Sequence, residues 1–155
     1  MGHHSEHRPQ YSHLAAALTA YFSAKVGSAG RCTLADPGRI RGDVDPSANS
    51  DRIAEIAVAL AQVAIEGRVA LELETLHAHL PVRFDPDAKP AKNMSPVTYG
   101  KLDVMTREFG GTWYERKYGS VVKQARDEAA FQLARRGLIP EPSWFNDEKQ
   151  ARGMA

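Results

Sequence analysis

The chain has 155 residues, 43% of them hydrophobic and 25% charged, with a formal net charge of +1. That balance fits one soluble globular domain and excludes a disordered chain, and no apolar run approaches the ~20 residues needed to cross a bilayer. One cysteine, Cys32, excludes an internal disulfide and a cysteine-built zinc centre, and the opening "MGHHSEHRPQ" lacks the apolar core of a secretory signal, so a cytoplasmic protein is expected.

Residues 1–10 read as a flexible start. A first helix is predicted from about Tyr11 to Val26, because Leu14, Leu18, Tyr21 and Phe22 recur at helical spacing, with Ser12 to cap it and Gly27 to end it. Residues 27–50 hold four glycines, two prolines and three aspartates without a helical stripe, and read as a long loop with one short strand at 39–44. Loops of that length inside a compact domain are uncommon and are usually functional or mobile.

The Asn49-Ser50-Asp51 cluster starts a second helix, 51–65, with Ile53, Ile56, Leu60, Val63 and Ala64 on one face, and Gly67 ends or kinks it. Two periods compete after it. Val69, Leu73, Leu76 and Leu80 fit a helix, whereas 68–74 alternates as a strand would; the longer pattern favours helix, closed by Pro81. Residues 81–94, rich in proline and charge, form a connector.

A fourth helix is signposted by Ser95 as cap, Pro96 at the first helical position, a stripe of Thr98, Leu102, Met105 and Phe109, and Gly110 as stop. Thr112 and Glu115 have capping-box spacing, so a short helical turn is predicted from Trp113, interrupted at Gly119. Ser120 then caps a last helix, Val121 to Arg136, ended by Gly137. Val121, Val122, Ala125, Ala129 and Leu133 cover its buried face; Lys123, Gln124, Asp127, Ala130, Phe131 and Ala134 lie on the other side. The turn between these helices crowds Trp113, Tyr114 and Tyr118 around Arg116 and Lys117. At least one ring must pack between the helices, and a leftover ring could stack on a base.

The expected architecture is all-α, about five helices with a helix-turn-helix-like C-terminal half, a minor β element being admitted only at 39–44 or 68–74. Its parts are an acidic helical region, 11–80, the connector, a basic region, 95–139, and a tail, 140–155. Between Lys89 and Ile139 ten Lys/Arg stand against five Asp/Glu, a charge of +5, which leaves −4 for the remainder. A basic part of a chain often contacts a polyanion.

The stretch "SVVKQARDEAAFQLARRGLI", Ser120 to Ile139, resembles the end of the recognition helix in winged-helix DNA-binding domains. The resemblance implies a glycine in the left-handed conformation at the helix end, followed by two apolar residues that return to the core. A β-hairpin wing is not expected after it, because Pro140 and Pro142 oppose ladder pairing. On this reading Lys123 and Gln124, in the first turn of the last helix, reach base edges. Arg116, Lys117, Arg126, Lys101 and Arg107 contact phosphates, while Asp127 on the same face opposes them.

The leading expectation is therefore a small bacterial or phage transcriptional regulator that binds DNA; thirteen arginines against seven lysines, with abundant alanine, suggest a GC-rich source. The alternative is a non-enzymatic interaction or inhibitor protein of phage or mobile-element type. Its alanine-rich helix 51–65 could form a homodimer or bind another protein. A small enzyme with its site at loop 27–50 is a third reading. No cofactor and no metal are indicated. His3, His4, His7 and His13 lie near the start, and His77 and His79 on a helix point about 200° apart, too far to share an ion. "RGD" at Arg41–Asp43 reads as a turn, and Glu72 and Glu74 show no acid–base partner in sequence.

Overall fold

The structure, a computed structural model, describes residues 9–29, 46–79 and 94–154. These contain six helices and no strand: α1 Leu14–Ala29, α2 Pro46–Leu60, α3 Ile65–His79, α4 Pro96–Phe109, α5 Glu115–Arg135 and α6 Phe145–Ala151. The all-α expectation holds, and 68–74 is helix. The strand expected at 39–44, "RGD", Cys32, the first histidines and nearly all of the 81–94 connector lie outside the described residues. No described helix is long and apolar enough to cross a membrane.

The most extensive pairing is α3 against α5, with α1 and α2 on one side of it and α4 on the other. One buried cluster joins Leu18 and Phe22 of α1, Ile56 and Leu60 of α2, Leu71 of α3 and Leu133 of α5. A second gathers Ala70 and Leu73 of α3, Leu102 and Met105 of α4, and Trp113, Tyr118 and Val122. At about 25 cal/mol per Å² of apolar surface removed from water, such clusters supply the main driving force for folding.

Several helix ends differ from expectation, each for a local reason. The first helix starts at Leu14 because His13, rather than Ser12, caps it: the His13 Nδ1 accepts from the Ala16 N–H at 3.1 Å. It continues past Gly27 to Ala29, and α2 begins at Pro46, so both ends of the predicted 27–50 loop are helical. The break between α2 and α3 falls at 61–64, before Gly67. Arg68 holds that corner by donating from Nε to the Val63 carbonyl at 3.1 Å. Gly67 lies inside α3, where α5 passes over it.

The tail is packed rather than extended. Gly137, at φ 74°, stands past the end of α5; its N–H donates to the Ala134 carbonyl and that of Leu138 to the Leu133 carbonyl, both at 2.9 Å. This is the Schellman arrangement, and buried Leu138 and Ile139 return to the core as the sequence implied. The Tyr11 N–H donates to the Leu138 carbonyl and ties the start of the chain there. Phe145 of α6 then packs on Phe131, ring centroids 5.3 Å apart. Arg152 lies 3.9 Å over the Phe131 ring and forms a two-pronged ion pair with Glu128 at 2.7 and 3.0 Å. Ala130, Phe131 and Ala134 are therefore buried, which corrects their assignment to the outer side of the last helix.

Candidate nucleic-acid interface

The corner between α4 and α5 is built from five residues, 110–114. Ser95 accepts from the Thr98 N–H at 3.2 Å, and Pro96 sets the first turn, so α4 begins where local chemistry directs it. It stops because Gly110 and Gly111 both have positive φ, 71° and 77°, a region that side-chain-bearing residues avoid. The Trp113 indole N–H donates back to the Gly110 carbonyl at 3.0 Å, and its ring packs on Phe109. Trp113 and Tyr118 are buried in the corner, whereas Tyr114 is 54% exposed. Two rings pin the turn and one faces water.

Helix α5 runs unbroken from Glu115, which corrects two expectations. Thr112 makes no cap, since Tyr114 occupies the N-cap position without a side-chain hydrogen bond, and Gly119 does not interrupt the helix. Lys123 and Gln124 consequently sit in the third turn rather than the first. At about 100° per residue, Arg116, Ser120, Lys123 and Asp127 fall within about 60° of one another, opposite the face buried on α3. Arg116, Ser120, Gln124 and Asp127 are exposed or nearly so along this side of the helix. The Lys123 side chain, 81% exposed, reaches Asp127 at 3.6 Å. Among the described residues Arg116 and Arg126 form no ion pair.

The other basic candidates are not gathered on that ridge. Lys117 folds back, its ammonium 4.1 Å above the Trp113 ring and donating to the Thr112 carbonyl. Arg107 pairs with Asp103 at 3.0 Å along the surface of α4. Arg126 turns to the side of α5 that faces α3 and α4. Lys101 is only 12% exposed and gives its ammonium to Glu74 at 2.7 Å, so it is a structural tie.

That tie belongs to a polar network that sequence reasoning missed. Glu74 of α3 accepts from Lys101 of α4 and from the Tyr118 hydroxyl of α5, the latter at 2.7 Å. One carboxylate thereby fastens three helices. Burial pushes the Glu74 carboxyl up, but Lys101, the Tyr118 hydroxyl and Arg126 outweigh it and hold it below the ordinary value. Burial, then the Glu74 charge, drives the Tyr118 hydroxyl well above its ordinary range. The network floors a groove of about 410 Å³ rimmed by Thr98, Lys123, Arg126 and Asp127. Glu74 and Tyr118 are 44 residues apart, and no local signal links them. Among the described residues no cluster of three or more His, Cys, Asp or Glu is placed to hold a metal ion. Comparisons with protein-family models, with curated proteins and with solved structures each find no match.

Proposed function

We propose that this protein is a small regulator that binds duplex DNA through α4, the 110–114 corner and α5, with the outward ridge of α5 lying in the major groove. The observation that carries this reading is the outward polar ridge of Arg116, Ser120, Lys123 and Gln124 on a helix whose opposite face is core. Gln124 offers the paired donor and acceptor that match adenine, and Lys123 the donor that matches guanine. Arg116, Arg107 and the exposed Tyr114 hydroxyl supply phosphate contacts that set the register. Asp127 repels phosphate but can accept from the amino group of cytosine, and in the free protein it holds Lys123.

Lys101 and Lys117 leave the footprint under this reading, because both are engaged within the fold. Arg126 serves at most one edge of it. The test is titration of a labelled mixed-sequence duplex at two salt concentrations. Affinity that falls steeply as salt rises is the expected result, since phosphate contacts release counterions. No binding, or binding indifferent to salt, removes the reading.

A further inference from the structure

Lys123 and Asp127 stand about one turn apart on the outward ridge of α5, with their charged ends 3.6 Å from each other. Both side chains are largely in water, Lys123 at 81% and Asp127 at 59% exposure. The charges on either flank belong to other contacts. Toward α6, Arg152 holds both Glu128 and Glu148. Toward α3 and α4, Glu74 holds Lys101, and the remaining two groove residues, Arg126 and Glu115, are of opposite sign. Arg116 lies about two turns nearer the start of the helix. An acid on a surface that approaches phosphates repels them unless a cation shares its place, and on this ridge that cation is Lys123.

A G·C pair shows two acceptors in the major groove, guanine N7 and O6, beside the amino donor on cytosine N4. O6 and N4 are hydrogen-bonded to each other and so lie about 2.9 Å apart. The ridge offers the complement at a similar spacing, an ammonium donor beside a carboxylate acceptor. We infer that Lys123 and Asp127 act as one reader of a single G·C pair, Lys123 donating to guanine and Asp127 accepting from cytosine. This inference rests on the proposed DNA binding by the α5 ridge. A T·A pair with thymine under Lys123 keeps the order of acceptor and donor but fails on both sides. It puts a methyl group where guanine N7 was, and the lone pair of adenine N7 against the Asp127 carboxylate. Reversing either pair sets donor against donor and acceptor against acceptor. Asp127 is therefore the specificity-determining residue, and its charge lowers affinity for every other sequence.

The experiment exposes the full chain to duplexes with about ten randomised base pairs, one helical turn, and sequences those retained. Fluorescence anisotropy then compares the selected duplex with its single-pair variants. The wild type is expected to hold one G·C position and to lose about tenfold in affinity when that pair becomes T·A. Asp127→Ala is expected to erase that discrimination while binding mixed-sequence duplex more tightly. Asp127→Asn is expected to move the preference to T·A, because asparagine pairs with adenine N6 and N7. The position is exposed, and circular dichroism checks that helix content is kept. Salt-dependent binding without a G·C position overturns this inference alone, as does a G·C preference that survives in Asp127→Ala or Asp127→Asn. Absence of duplex binding at both low and high salt overturns the DNA-binding reading and this inference with it.

Discussion

Gly67 of α3 and Ala125 of α5 meet so closely that a Cβ on residue 67 would stand 2.7 Å from the Ala125 Cβ and 3.2 Å from a methyl of Val63. The central helix pair of the fold approaches at this point because one side chain is missing. Gly67→Ala gains about 1 kcal/mol of helix propensity but forces two packed helices apart, which costs about 1–3 kcal/mol. Urea unfolding is expected to show net destabilisation. Gly119→Ala makes the opposite case: it is also inside a helix, yet an added Cβ meets nothing within 4 Å. That variant is expected to be stabilised by about 0.5–1 kcal/mol. If both changes shift the midpoint in the same direction, the close approach of the two helices is wrong.

The Glu74 network predicts an acid-sensitive element of stability. A carboxyl whose folded value lies below its unfolded one stabilises the fold above the unfolded value, and that contribution disappears as pH falls through the folded one. Glu74 is such a group, so its contribution is present at neutral pH and fades below the ordinary glutamate range. Glu74→Gln and Tyr118→Phe are each expected to lower stability at pH 7 by about 1–2 kcal/mol. The gap between wild type and Glu74→Gln should narrow on acidification, as read from unfolding curves at neutral and low pH. A gap that widens contradicts the assigned sign.

Arg152 fastens α6 by charge and stacking together. It pairs with Glu128 and with Glu148, the latter at 2.7 Å, and covers the Phe131 ring. Hydrogen bonding from Arg152 comes first among the influences that hold the Glu128 carboxyl below its ordinary value. The pair is partly exposed, so Arg152→Ala is expected to cost only about 1 kcal/mol. Phe145→Ala removes a buried ring and is expected to cost about 3 kcal/mol or more. Hydrogen exchange should show Arg152→Ala loosening residues 145–154 while the α3–α5 core keeps its protection. Equal loosening of both would mean that the tail is part of the central cooperative unit.

What can be read from sequence is what neighbours decide among themselves. Ser95, Pro96 and Gly110 fix α4, and Gly137 with Leu138 fixes the end of α5, because cap chemistry involves residues within one turn. Gly67 and Gly119 resist the same logic. Both look like helix breakers, but a glycine costs only about 1 kcal/mol inside a helix, less than the packing of Val63 and Ala70 around one and of Tyr118 and Val122 around the other. The candidate interface divides along the same line. Arg116, Lys123 and Gln124 are legible as one outward face of a helix. The withdrawal of Lys101 is not, because its partner Glu74 lies on another helix and shows no partner within its own stretch of sequence.

On the proposed DNA-binding reading, that withdrawal favours the ridge of α5 over the groove behind it as the contacting surface. Removing one phosphate-binding cation reduces the slope of log affinity against log salt by about 0.9. Arg116→Ala is expected to weaken duplex binding and to flatten the slope by roughly that amount. Gln124→Ala should leave the slope unchanged while narrowing the difference between preferred and mixed-sequence duplexes, because a base contact carries specificity. Lys101→Met should lower stability through the stranded Glu74 and leave the slope of the folded protein alone. If Lys101→Met flattens the slope and Arg116→Ala does not, the nucleic acid lies in the groove between α4 and α5, and the outward ridge has another use.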